Sequence, residues 1–254
     1  MSNFTFLAQN NDKDSYVKQA CLLAMSIRAT NKESKICLIT NDKVPTNFEH
    51  LFDDIVPIPF QDTAKHDKWK VQNRWKIYHA TPYEETFVMD TDMLVLQDLS
   101  NWWNLMQNYE VFLTTKPKTY RQEKIVDKYY RPSYVANDLP NVYCAIHYFK
   151  KSAFAKQFYT WLELVMKNHE TFYKLYSPKK QQSFLSVDTS MAIVVKMLGI
   201  EEQVTNKNID FPNFVHMKPY IQNWKQPTED WMQRVGAYIC LLYTSDAADD
   251  RMRG

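Results

Sequence analysis

Short apolar runs and longer amphipathic stretches alternate along this chain. Runs rich in β-branched and aromatic residues predict strands over residues 3–8, 35–40, 54–59, 86–89, 110–115 and 143–149. Apolar residues at helical spacing predict one helix that starts at Asp14 as its N-cap, and others over residues 70–80, 152–172 and 187–198. The prolines in 54–59 indicate an edge strand. Strands that alternate with helices predict one α/β domain with a mixed, mostly parallel sheet flanked by helices.

Glycine is scarce in this sequence. The chain has 254 residues, 45% of them hydrophobic, and only three glycines, whereas average usage is about 7%. Phosphate-binding loops need several closely spaced glycines, because the backbone must approach the anion. A Walker loop, a dinucleotide fingerprint and a kinase lid are therefore excluded. Any nucleotide phosphates must be held by a metal ion and side chains.

Charge and hydropathy narrow the class further. The net charge is +2, which gives no support to nucleic acid as a partner. No apolar run approaches the roughly 18 residues of a membrane span, and the first residues lack the basic and apolar segments of a signal peptide. We therefore expect a cytoplasmic protein without a transmembrane segment.

The four cysteines, Cys21, Cys37, Cys144 and Cys240, include no CxxC pair, which favours buried reduced thiols over zinc clusters or disulfides.

The final residues differ in character from the rest. The stretch Cys240-Leu-Leu-Tyr-Thr-Ser-Asp-Ala-Ala-Asp249 resembles the translation of a transposon-adapter oligonucleotide used in sequencing libraries. We predict a native domain over residues 1–239 and a non-native, adapter-derived tail over residues 240–254. A real tail of small residues is the alternative. Raw reads in which the coding sequence continues differently after codon 239 would support the adapter origin.

Two aspartates follow the apolar strand predicted at residues 86–89. Because side chains alternate along a strand, Asp90 and Asp92 should project to the same side. Two carboxylates among apolar neighbours repel each other and lose hydration, so they need a cation or other compensation. Hard divalent ions prefer oxygen ligands, and open α/β sheets bind ligands beyond the carboxyl ends of their strands. A metal site is therefore predicted, with a bare structural role as the alternative. The segment Asp12-Lys-Asp14 has the same spacing and is interpreted as helix capping.

Three segments together resemble a known family. Residues 16–27, residues 85–98 and His216 resemble the GT-A-fold glycosyltransferases, and within them the glycogenin- and galactosyltransferase-like group called family 8. The resemblance extends thinly over residues 3–224. It implies a single GT-A-type domain that transfers a hexose from a nucleotide-sugar, with a UDP-sugar as the expected donor and retained configuration. The acceptor is left open as a glycan, a protein or a lipid.

The resemblance also implies roles for individual residues. Asp90, Asp92 and His216 would bind Mn²⁺ or Mg²⁺. The implied donor-binding residues are Ala8, Gln9, Asn10, Tyr16, Arg74, Asp90 and Lys218. Asp188 would be the catalytic candidate, facing the sugar and the acceptor. The alternatives are a surface or core histidine for His216, a helix-surface arginine for Arg74 and an ordinary N-cap for Asp188.

Two parts of the family pattern are altered here. The family has His-x-x-Gly-x-x-Lys-Pro-Trp after the late histidine, whereas this chain has Pro219 at the glycine and Gln222 at the lysine. Trp224 keeps its spacing, and Lys218 is displaced by four positions. The family's Asn-Ser-Gly-like turn is occupied by Tyr143-Cys144-Ala145, with Asn141 nearby.

The segment Lys116–Arg131 combines six basic residues with three tyrosines. Its favoured interpretation is a solvated helix, and a lid or acceptor surface is the alternative.

Three other functional classes are alternatives to a glycosyltransferase. A haloacid-dehalogenase-type phosphatase also has Asp-x-Asp after a strand, but normally near the N-terminus. A sugar-nucleotidyltransferase needs a glycine-rich first loop, which Gln9-Asn10-Asn11 is not. A non-catalytic carbohydrate-binding protein would use the aromatics but does not require paired carboxylates.

Overall fold

The structure is a computed structural model that describes residues 2–64, 70–118 and 131–206, with the backbone of residues 214–216 and 237–239. The strands are β1 Asn3–Leu7, β2 Lys35–Ile39, β3 Asp54–Val56, β4 Glu85–Met89, β5 Met93–Val95, β6 Val111–Thr114, β7 Tyr143–Lys150, β8 Phe214–His216 and β9 Ala237–Ile239. The α-helices are α1 Tyr16–Thr30, α2 Ile77–Ala80, α3 Ser100–Met106, α4 Pro132–Asn137, α5 Ala153–Lys167, α6 His169–Tyr176, α7 Val187–Leu198 and α8 Glu201–Val204. 3₁₀ helices cover Thr46–Leu51 and Val71–Lys76.

The main sheet has six strands in the order β3-β2-β1-β4-β7-β6. Strands β3, β2, β1 and β4 are parallel to one another, whereas β7 runs antiparallel to both β4 and β6. This confirms the predicted mixed, mostly parallel sheet. β3 lies at the edge as predicted, and it ends at Val56 because Pro57 and Pro59 have no N–H to donate to a ladder.

Apolar layers cover both faces of this sheet. Phe87 and Met89 of β4 belong to the layer formed with α1 and α3, while Val88 between them belongs to the layer formed with α5 and α7. Trp103 of α3 packs edge-on against Phe87, with ring centroids 5.3 Å apart. Burial of such apolar surface is the main favourable term in folding. It also fixes β4 at the centre, so the residues that follow β4 are rigidly placed.

A second, three-stranded sheet has the order β5-β9-β8. β5 pairs antiparallel with β9, and β9 pairs parallel with β8. The hydropathy pattern does not predict these three short strands. They bring residues from beyond position 213 next to the segment that follows β4.

Several predicted helix bounds were wrong. Helix α1 is capped by Ser15 and not by Asp14, since the Ser15 hydroxyl accepts from the Lys18 N–H while the Asn11 side-chain Oδ1 atom accepts from the Asp14 N–H. The predicted helix 152–172 is two helices, because the Asn168 backbone N–H and side-chain amide both donate to the Leu164 carbonyl and end the first one.

The predicted helix 70–80 is a 3₁₀ helix followed by one α-helical turn. Lys70 precedes it with a left-handed backbone (φ 56°), which no α-helix continues through. Helix 187–198 is confirmed. Ser186 caps its start and Gly199, at φ 65°, caps its end, where glycine adopts the left-handed conformation without strain.

Cys21 and Cys37 are buried free thiols, as predicted. Burial raises the pKa of Cys37 to about 12, and the nearby Asp54 adds to the effect. Among the described residues, no helix combines the length and the apolar character needed to cross a bilayer. Cys240, with the rest of the predicted tail, lies outside the described residues.

Candidate active site

Asp90 and Asp92 lie in the turn between β4 and β5 and not within a strand. The Asp90 N–H donates to the Ala145 carbonyl of β7 at 2.9 Å, which continues the sheet pairing for one residue beyond β4. Thr91 is buried, whereas the aspartates on either side of it are partly exposed. The carboxyl end of a central strand thus presents both acids to solvent, which is where the sequence predicts a ligand site.

Arg74 forms an ion pair with Asp90. Its guanidinium, in the 3₁₀ helix Val71–Lys76, donates to the Asp90 Oδ1 atom. Burial lowers the pKa of Arg74, but the nearby Asp90, Cys144 and Asp92 more than offset it, so the net pKa is raised. Arg74 therefore stays charged and compensates the paired carboxylates. It is not a solvated helix-surface residue.

The backbone register places His216 near this turn. Met93 of β5 pairs with Ile239 of β9, and Ile239 pairs with His216 of β8, so the three residues form one row. Adjacent strands lie about 4.8 Å apart, which puts the His216 backbone about 10 Å from that of Met93, the residue after Asp92. This separation is compatible with one ion held between an aspartate and a histidine.

The donor atoms fit a hard divalent ion. Two carboxylates and one neutral imidazole suit Mn²⁺ or Mg²⁺ better than a softer metal that prefers thiolates. Within residues 2–64, 70–118 and 131–206, no three His, Cys, Asp or Glu side chains converge to hold a metal. The side chain of His216 lies outside that part of the chain, and His216 stays the predicted third ligand.

Asp188 lies in the first turn of α7, after the N-cap Ser186. The ordinary N-cap interpretation of Asp188 was therefore wrong. Its Oδ1 atom accepts from the Cys144 N–H at 2.6 Å, and its Oδ2 atom accepts from the guanidinium of Arg131. The Asp188 carboxylate thus links the first turn of α7 to the start of β7 through a hydrogen bond.

The Cys144 thiol is close to both ion pairs. Burial raises its pKa well above the ordinary range, and the charges of Asp188 and Asp90 raise it further. The thiol therefore stays protonated at neutral pH and is a poor nucleophile. Asp90, Arg74, Cys144, Asp188 and Arg131 form one cluster at the carboxyl end of β4. We name this set the β4-end cluster.

Four of the predicted donor-binding residues lie between the end of β1 and the first residue of α1. Ala8 is fully buried, and Tyr16 packs at the rim of the apolar layer beside α1. The Asn10 side chain accepts from the Val17 N–H at 3.1 Å and so fixes the start of α1. The Asn10 N–H donates to Asp42 at 2.7 Å. These contacts position the loop after β1, and its donor-binding role stays a prediction.

Both polar atoms of the Gln9 side-chain amide form hydrogen bonds. Its Nε2 atom donates to Asp62 at 2.8 Å, and its Oε1 atom accepts from Asn73 at 2.6 Å. Asn73 also donates to Asp62 at 2.7 Å and accepts from the buried Lys76 ammonium. Burial lowers the pKa of Lys76, and the charge of Asp62 opposes that shift. The Gln9 side chain is therefore part of a buried polar network that supports the loop.

Replacing Asn73 by alanine is expected to lower the free energy of unfolding by about 2 kcal/mol, because it leaves the buried Gln9 and Lys76 and the partly buried Asp62 short of partners. Urea unfolding at pH 7 would measure this change. The exposed Asn104 is the control, and Asn104→Ala should change stability by less than about 0.5 kcal/mol. Equal stabilities of the two variants would contradict the network.

Other predicted site residues lie outside the described residues. These are Lys218, the altered positions Pro219 and Gln222, Trp224, and most of the basic segment, residues 119–130. The sequence interpretation missed the position of Arg131, which it grouped with the solvated basic residues. Hydropathy gives no signal for it, since its partner Asp188 is 57 residues away.

No family model matches the chain, and no curated protein is significantly similar to it in sequence. Solved structures do match. The galactosyltransferase LgtC, in complex with donor and acceptor sugar analogs, has a TM-score of 0.57 at 14% identity, over 97% of this chain and 91% of that chain. Mouse xyloside xylosyltransferase 1, in its apo form, has a TM-score of 0.57 at 8% identity, over 94% and 96%. An active-site mutant of LgtC has a TM-score of 0.54 at 14% identity, over 94% and 87%. The chain therefore has the GT-A fold that the sequence predicts, shared with these glycosyltransferases.

Proposed function

We propose that this protein is a glycosyltransferase that moves a sugar from a nucleotide-sugar to an acceptor. The observation that carries the proposal is the β4-end cluster, in which Asp90, paired with Arg74, and Asp188, paired with Arg131, both lie close to Cys144 at the carboxyl end of a central strand. The GT-A fold adds support, because it is the fold of a galactosyltransferase and a xylosyltransferase. The lack of a glycine-rich loop agrees with phosphates held by a metal and side chains.

The two acids are assigned to metal binding. Asp90 and Asp92, with His216, would hold Mn²⁺ or Mg²⁺. When bound, the ion would supply Lewis-acid stabilisation of the charge that develops on the leaving diphosphate. Arg74 already lies beside the Asp90 carboxylate, so its guanidinium can bind a diphosphate that arrives at these acids. Lys218 is a further candidate for that contact.

Asp188 is assigned to the sugar. Asp188 and the Asp90–Arg74 pair both lie close to Cys144, so a donor whose diphosphate is bound by that pair would have its sugar near Asp188. Holding the reacting groups in a fixed orientation removes much of the entropic barrier to transfer. Retention of configuration and a UDP-linked hexose stay predictions that rest on the family resemblance.

The phosphatase alternative fits the fold less well. Its Asp-x-Asp would follow an early strand, whereas here the acids follow β4, after β1, β2 and β3. A non-catalytic carbohydrate-binding protein would give no reason for a partly buried arginine to compensate paired acids at a strand end. Phosphate release from simple phosphate esters would favour the phosphatase.

Donor hydrolysis across a panel of UDP-, GDP-, CMP- and TDP-sugars, with Mn²⁺ present, tests the proposal. We expect one sugar nucleotide, a UDP-hexose, to be hydrolysed faster than the others, and EDTA to stop the reaction. The anomeric proton coupling of the released sugar, measured by NMR at early times, would report retention or inversion. If no donor were hydrolysed above background and EDTA had no effect, the enzyme assignment would be contradicted.

A further inference from the structure

Arg131 is a largely but not fully buried cation beside Asp188. Its side chain is only 11% exposed. One guanidinium nitrogen donates to the Val142 carbonyl at 2.6 Å and to the Asn141 side-chain oxygen at 3.1 Å. The other donates to Asp188. The expectation that Arg131 belongs to a solvated basic surface is therefore wrong for this residue.

Two aromatic rings pack against the guanidinium of Arg131. Its central carbon lies 3.4 Å from the ring centroid of Tyr143 and 4.6 Å from that of Tyr134. Desolvated cation–π contacts of this kind are stronger than exposed ones. Tyr143 is the first residue of β7 and replaces the asparagine of the resembling family's turn, so this chain builds its site differently at that position. The result is a rigid positive charge whose orientation is set from several directions.

The Asp188 carboxylate is fixed by two hydrogen bonds but can accept more. A carboxylate has about four acceptor positions, and the described contacts use two of them, from the Cys144 N–H and from Arg131. The side chain is 22% exposed, so hydrogen-bond donors of a ligand can reach it. Sugar hydroxyls are such donors.

The surroundings of Asp188 do not favour a nucleophile. Its charge is shared with the Arg131 guanidinium and the Cys144 N–H, and it lies in the first turn of α7, where the helix dipole stabilises a negative charge. Each of these interactions stabilises the carboxylate as it is and reduces its tendency to form a covalent bond. A fixed acceptor that orients a hydroxyl needs this stabilisation.

We propose that Arg131 is a positioning residue that fixes Asp188 as a hydrogen-bond acceptor for a hydroxyl group of the donor sugar. This inference rests on the proposed function, because it requires that the site binds a nucleotide-sugar. It assigns to Arg131 an effect on the sugar half of the donor and none on the nucleoside diphosphate half.

The test compares the binding of UDP-glucose, UDP-galactose and UDP, each with Mn²⁺, by isothermal titration calorimetry. Arg131→Met removes the charge and the donors but keeps the length of the side chain. We expect it to weaken binding of the preferred UDP-sugar about 10-fold and to change UDP binding less than about 2-fold. Asp188→Asn should give a similar selective loss. The double variant should lose little more than either single variant, since the two residues act as one unit.

Arg28→Met is the matched control. Arg28 forms an ion pair with Asp53 at 2.7 Å, remote from the β4-end cluster in the fold, and its loss should leave the ratio of UDP-sugar to UDP affinity unchanged. Should Arg131→Met fail to fold, Arg131→Lys replaces it, and the loss of the forked geometry should lower the same ratio about 5-fold.

Three results would overturn the inference. One is an unchanged affinity ratio in the Arg131 variant. Another is an equal loss of UDP binding, which would indicate a general structural role. A third is strict additivity of the Arg131 and Asp188 variants. If the wild-type protein bound no nucleotide-sugar of the donor panel, the proposed function would fail as well, so the two failures are distinguishable.

Discussion

Replacing Asp90 by asparagine is expected to lower metal-dependent sugar transfer at least about 100-fold. Loss of an outer-shell partner of a metal already costs about 10- to 100-fold, and a ligand should cost no less. Asparagine keeps the size of the side chain but removes the charge that would hold the ion and that now pairs with Arg74. Initial rates at several Mn²⁺ concentrations would measure the loss, and electron paramagnetic resonance of free Mn²⁺ would measure binding without turnover.

The control for this variant is Asp12→Asn. Asp12 belongs to the other Asp-x-Asp segment of the chain and is exposed in the loop before α1, so its replacement should leave both readouts unchanged. Asp90→Asn should also unfold at a temperature close to that of the wild type, because Asp90 is partly exposed. Full activity of Asp90→Asn, with undiminished Mn²⁺ binding, would remove the metal from the proposed mechanism.

The sheet could be predicted from the sequence because its evidence is local. An apolar run such as residues 86–89 reports burial on both faces directly, and β4 indeed contributes to both apolar layers. The ends of helices were harder to predict. Asp14 and Ser15 are both good caps, and the choice between them depends on the hydrogen bond from Asp14 to Asn11 in the preceding turn.

The site residues also differ in whether the local sequence reveals them. Asp90 and Asp92 stand out because charged residues directly follow an apolar strand. Arg74, Asp188 and Arg131 have no such local signal, since each becomes meaningful only through a partner between 16 and 57 residues away. The family resemblance supplied the first two. It could not supply Arg131, because Tyr143 and Cys144 depart from the family pattern at the place where Arg131 packs.

One buried histidine beside the β4-end cluster should govern the acid stability of the protein. His147 of β7 is 3% exposed. Its Nδ1 atom lies 2.8 Å from the Cys144 carbonyl oxygen, and its Nε2 atom lies 3.0 Å from the Tyr159 hydroxyl. A neutral ring satisfies both contacts when Nδ1–H donates to the carbonyl and Nε2 accepts from the hydroxyl. Burial lowers the pKa of His147 to about 4, with Arg74 adding to the shift and the Cys144 carbonyl opposing it.

The direction of the pH effect follows from this pKa. In the unfolded chain a histidine has a pKa of about 6.5, so between pH 6.5 and 4 the unfolded state binds more protons than the folded state. The free energy of unfolding therefore falls as the pH falls through this window, and the contribution is constant above it. Between pH 7 and pH 4.5 the loss from His147 alone should be roughly 2.5 kcal/mol.

His147→Gln removes this titration while keeping a side chain that can donate and accept. We expect the variant to lose roughly 2.5 kcal/mol less than the wild type between pH 7 and pH 4.5 in urea unfolding. The aspartates whose pKa is lowered in the folded state, Asp53 and Asp62, destabilise both proteins equally as the pH falls, so the difference isolates His147. His50→Gln, at an exposed position, should follow the wild-type curve. Parallel curves for the wild type and His147→Gln would mean that the ring takes up its proton as readily in the folded protein as in the unfolded chain, which would contradict the lowered pKa of His147.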